Sequence, residues 1–151
     1  MNRIIVLDSS PLGLLFQRPG FQKADECREW LKHHLSRGVR VIVPEIVNYE
    51  LRRELLRLRR TSAVTALAAF IRAVPGQFVP IKTAAMDLAA ELWAQARQHG
   101  KPTADIHALD VDTILAAQVL AEGWQPAEFV VTTTNLAHLS QFLPAELWTK
   151  L

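Results

Sequence analysis

One cysteine, Cys27, stands among 151 residues. A lone thiol excludes an internal disulfide and every multi-cysteine metal motif, so a cytosolic setting is expected. Apolar runs are short, and none approaches the roughly twenty residues a membrane-spanning helix needs. The opening MNRIIVLDSS has too brief an apolar core for a secretory signal and no small-residue cleavage site. Aromatic residues make up only 7% of the chain, and Trp30, Trp93, Trp124 and Trp148 are scattered over helical patterns. That dispersal suits core or interface positions rather than a row of base-stacking platforms. Histidines with zinc-ligand spacing are also missing. His33 and His34 are adjacent and fall on different helix faces, while His99, His107 and His138 stand alone and read as surface or turn residues. Nor is there a large excess of charge: a formal +2 permits a polyanionic partner without arguing for one.

What is present is a globular composition, 50% hydrophobic and 21% charged, over a length that suits one domain, residues 1–151. Three apolar runs rich in β-branched residues read as strands buried on both faces: IIVLD (4–8), VRVIVP (39–44) and EFVVTTT (128–134). FVPI (78–81) is a weaker fourth. Helical periodicity covers about 23–37, 45–60, 62–74, 84–99 and 111–122, with a short segment near 144–150. PGQF and HGKPTAD mark turns, Asp105 among them. Strands alternating with helices predict a three-layer α/β/α sandwich around a mostly parallel sheet.

In such sheets ligands gather beyond the carboxyl ends of the strands. Asp8 closes the first apolar run and is followed by Ser9 and Ser10, so it either caps the next helix or faces a site. Glu50 lies in the helix after VIVP, bordering the apolar stripe of Ile46, Val47, Leu51, Leu55 and Leu58. Thr132, Thr133, Thr134 and Asn135 follow FVV on the same edge. The stretch LDVDTILAAQ holds Asp110 and Asp112, about 200° apart on a helix, so both cannot face one point. The division expected is Asp110 as N-cap and Asp112 projecting into the cleft, with Ala116 and Ala117 allowing close packing below it. Asp8, Glu50 and Asp112 around one cleft would repel, and a divalent cation relieves this. Oxygen-only ligands suit Mg²⁺ or Mn²⁺ and disfavour zinc. The run ELRRELLRLRR contributes Arg52, Arg53 and Arg57 as candidates for contacting phosphates, against the plainer reading of a solvated, ion-paired helix face.

The order of these motifs resembles the PIN-domain ribonucleases, especially VapC-type toxins of toxin–antitoxin pairs. A strand-ending Asp8 is followed by Glu50 after the second strand, then DTILAAQ, then VVTTTNLAHL, and the resemblance covers Ile4 to about Leu147. Asp112-Thr-Ile-Leu-Ala-Ala is the most specific piece, and Thr133-Thr-Asn135 the next. The resemblance implies that Asp8, Glu50 and Asp112 form an acidic metal-binding triad, with Asp110 a candidate for a further carboxylate. Asn135 falls where relatives have Asp or Asn, and His138 where many have an acid, which leaves one metal or two open. It also implies hydrolysis of phosphodiesters in single-stranded RNA, an antitoxin partner and a homodimer, with no membrane. Asn135 and a nearby threonine hydroxyl would orient water, and Thr133 with the three arginines would contact substrate. A phosphotransferase of the haloacid-dehalogenase type would need Asp-x-Asp where Ser10 stands. A receiver domain would need an acidic pair and a strand-ending Asp in mid-chain. The remaining alternative is a PIN-like module that binds nucleic acid or protein without useful catalysis.

Overall fold

The structure, a computed structural model, describes residues 3–99 and 106–151. The chain begins with β1 (Ile4–Leu7), α1 (Ser9–Leu15), α2 (Gln22–Ser36) and β2 (Val41–Pro44). It continues through α3 (Glu45–Arg57), α4 (Thr61–Arg72), β3 (Phe78–Val79), α5 (Thr83–Gln98) and α6 (Ile106–Leu120). It closes with β4 (Phe129–Thr132), α7 (Leu136–Leu139), β5 (Ala145–Glu146) and a 3₁₀ turn at Trp148–Lys150. The strands form one parallel sheet in the order β3-β2-β1-β4-β5, flanked by the helices as expected of an α/β/α sandwich.

The three strongest strands are those whose Val/Ile runs leave no polar face. All four residues of β2 and of β4 are buried, as are three of the four in β1. A strand covered on both sides gains from apolar residues at every position, which is why these runs do not alternate. Pairing sets Leu7 beside Thr132 and Val6 beside Ile42. The chain steps outward from β1 through β2 to β3, then returns to the other side of β1 with β4. The strand order therefore reverses between β1 and β4, and a crevice opens at their carboxyl ends.

Two expectations are corrected. The helix expected over 111–122 starts at Ile106 and ends at Leu120. Its apolar stripe extends back one turn through Leu109, which is 1% exposed, so burial draws in residues that read as a cap. Asp110 is consequently inside the helix and caps nothing. The segment near 144–150 is not a helix: Ala145 and Glu146 pair with Val131 and Thr132 before the 3₁₀ turn. The free edge of β4 needs partners for its backbone groups, and that demand outweighs local helix preference. The short helix α1 is the one that Asp8 was expected to cap in the plainer reading, while α7 lies outside the helical segments expected. Gly76, at φ 79°, makes the expected PGQF turn, while the HGKPTAD turn and Asp105 lie outside the described residues.

A buried glutamine fixes how the helices sit. Gln118 accepts from Ile46 N at 3.0 Å and donates to Val79 O at 2.9 Å. One side chain thus ties α6 to the first turn of α3 and to β3. Glu50 and Asp112 ride on the two helices it joins.

Candidate active site at the carboxyl edge of the sheet

Asp8 follows β1 and does two things at once. It is the N-cap of α1, with Oδ1 accepting from Ser9 N at 2.7 Å. Its Oδ2 accepts from Thr133 Oγ1 at 2.6 Å, across the β1–β4 junction. Thr133 is fully buried and also accepts from Asn135 N at 2.9 Å. Thr133, expected to contact substrate, has its hydroxyl engaged in holding Asp8 and the turn after β4. Ser10 reinforces the same junction by accepting from Thr134 N at 3.1 Å. Thr132 fills the strand, its hydroxyl pointing at Val6 O.

Asp112 approaches from α6 and is 7% exposed. Its Oδ2 is buried with no hydrogen-bond partner. Burial first, then the charges of Asp8 and Glu50, push its carboxyl up to about 7. Asp8 is also raised, by burial above all and by Glu50, while the hydrogen bonds from Thr133 and Ser9 oppose the rise. These mutual effects put the three predicted carboxylates in one electrostatic neighbourhood. Glu50 is the most open of them, its side chain 28% exposed, with Arg53 4.0 Å away.

The fourth wall comes from β4 and α7. His138 Nδ1 stands 3.6 Å from Asp112 Oδ2 and 3.0 Å from Asn135 Nδ2. The reading of His138 as an isolated surface or turn residue is thus corrected; the resemblance, which set it where many relatives have an acid, was the signal available. Asp110 is not brought into the cleft. It is exposed and borders a surface groove with Met86, Ala89 and Trp93 of α5.

The arginines separate as well. Arg53 is stacked on the Tyr49 ring at 5.2 Å and reaches toward Glu50. Arg52 lines a groove between α3 and α4 that Arg72 also borders. Arg57 is held by Glu54, with Nε 2.9 Å from its carboxylate. That leaves Arg53 as the candidate cation closest to the acidic cleft. Exposed Tyr49 gave no signal of this role in the sequence.

The PIN domain pattern matches residues 5–136, most of the chain and all of this site but His138. The chain belongs to the PIN domain family. PIN domains are generally nucleases, and those nucleases typically use a divalent metal. Solved structures agree with the fold. A chain of the promoter-DNA-bound VapBC2 of Rickettsia felis superposes with a TM-score of 0.71 at 16% identity, over 96% of this chain and 98% of that one. FitAcB from Neisseria gonorrhoeae gives 0.70 at 18%, over 98% and 100%. DNA-bound VapBC from Salmonella typhimurium gives 0.70 at 19%, over 98% and 99%. No protein of curated function matches the sequence at a significant level.

Among the described residues of this PIN domain, no three His, Cys, Asp or Glu side chains stand assembled as a ready metal-binding set. The donors nevertheless fit a hard cation in kind and charge. An orphaned, buried carboxylate oxygen beside two further acids is what a divalent ion would satisfy. No described helix is long and apolar enough to cross a membrane.

Proposed function

We propose that this PIN domain is a divalent-metal-dependent endoribonuclease that hydrolyses phosphodiesters in single-stranded RNA, acting as the toxin of a toxin–antitoxin pair. The observation that carries the reading is Asp112 Oδ2, buried without a partner and facing the charges of Asp8 and Glu50. An arrangement this costly to the free protein has a use if a cation completes it. Asp8, Glu50 and Asp112 are the ligands proposed, with Glu50, the most exposed, turning inward to close the set. Asp110 is left out because it faces α5.

Bound Mg²⁺ or Mn²⁺ would supply positive charge against the scissile phosphate and lower the pKa of an attacking water. The chain's own residues do the rest. Thr133 holds Asp8 in one rotamer, so one corner of the site is fixed before substrate arrives. Asn135 presents its amide at the cleft, where it orients water or substrate. Arg53 receives a phosphate flanking the scissile one, and Arg52 extends the positive path into the α3–α4 groove. An unpaired strand suits a narrow cleft better than a rigid duplex does. The resemblance to VapC-type proteins, together with neighbours that are VapBC and FitAB complexes, supports an antitoxin as protein partner.

The test is cleavage of end-labelled single-stranded RNA with Mg²⁺ or Mn²⁺, against chelator and the D8N and D112N proteins. Metal-dependent cuts lost in both variants support the nuclease. RNA bound but uncut with either ion would instead favour a binding module.

A further inference from the structure

His138 is the part of the cleft that a carboxylate-only site does not need. Asn135 Nδ2 can only donate, so at 3.0 Å the His138 Nδ1 accepts and the ring proton sits on Nε2. The same Nδ1 is 3.6 Å from the unpartnered Asp112 Oδ2. That is too far for a hydrogen bond. Two atoms of metal-ligating type thus stand side by side, and the carboxylate oxygen has no partner of its own. An ion with bonds of about 2.1 Å keeps adjacent ligands roughly 3.0–3.5 Å apart, so a shift of a few tenths of an ångström would let one ion bind both. Asn135 holds the ring in place until then.

We propose that His138 Nδ1 is a direct nitrogen ligand of the metal, paired with Asp112 Oδ2, and that it tunes this site toward Mn²⁺ over Mg²⁺. An imidazole nitrogen is a borderline donor that manganese accepts, whereas magnesium keeps to oxygen and water. The inference rests on the metal-dependent reading above and adds the ligand that sets the ion's identity.

Pulsed electron paramagnetic resonance of the Mn²⁺-loaded protein reads the ligand directly, with no activity needed. The expected spectrum shows ¹⁴N modulation from a coordinated imidazole, converted to a ¹⁵N pattern by histidine labelling of the unaltered protein and lost in His138→Gln. In the same variant Mn²⁺ affinity should fall about tenfold while Mg²⁺ affinity changes less than about twofold. Bound Mn²⁺ without nitrogen coupling, or coupling that survives His138→Gln, would overturn the inference and leave the carboxylate nuclease standing. Failure to bind either ion below millimolar concentrations would overturn both.

Discussion

Asp8 and Asp112 are both buried acids in one cleft, yet the fold treats them differently. At the strand corner Asp8 is answered on both oxygens, by Ser9 N and by Thr133 Oγ1. At the helix corner Asp112 Oδ2 is answered by nothing. A strand end exposes backbone amides and the neighbouring strand's side chains, which can satisfy a carboxylate. A helix interior has already spent its amides on its own carbonyls, so a buried acid there depends on what faces it. The strand corner is therefore built in advance, and on the proposed reading the helix corner is where a cation would bind.

Removing either charge is the strongest way to probe this contrast. Asp8→Asn and Asp112→Asn should each lower metal-dependent cleavage by about a thousandfold, roughly 4 kcal/mol of lost transition-state stabilisation. Their effects on stability in chelator should diverge. Asp112→Asn removes an unanswered charge and should raise the melting temperature at pH 8, whereas Asp8→Asn turns one acceptor into a donor facing Ser9 N or Thr133 Oγ1 and should lower it. A parallel change in both would break the comparison. Thr133→Val withdraws the prop from Asp8 alone and should cost about 10–100-fold in metal affinity or activity with the fold retained. Arg53→Ala should reduce the slope of log affinity against log salt for RNA by about one, measured with the non-cleaving Asp8→Asn protein. Asp110→Asn, two residues from Asp112, should leave cleavage within about twofold and stability within about 0.5 kcal/mol.

The contrast also explains what could be read from the chain. β1, β2 and β4 were legible because their apolar runs are uninterrupted, and Asp8, Glu50 and Asn135 because each follows such a run at a fixed remove. Asp112 was legible from the alanines below it, which let α6 pack closely. The start of α6 was not, since Asp110 looks like a cap until Leu109 is known to be buried. β5 was hidden because AELWTK satisfies helix preference locally and only the open edge of β4 overrides it. His138, which the resemblance set where many relatives have an acid, was hidden from the residues alone for a related reason. A single histidine on a four-residue helix carries no spacing signal, and its role depends on a rotamer and on the helix opposite.

The most direct test of the account is the melting temperature of the unaltered protein and of Asp112→Asn between about pH 4 and pH 8, in chelator and in Mg²⁺ or Mn²⁺. In the folded chain the Asp112 carboxyl is raised from 3.8 to about 7. Between those values the unfolded chain has released the proton that the folded chain keeps, so rising pH disfavours folding. A falling melting temperature is expected across this range in chelator, restored by the cation, with a flatter curve and no cation response in Asp112→Asn. Parallel curves for the two proteins, unmoved by either ion, would contradict it.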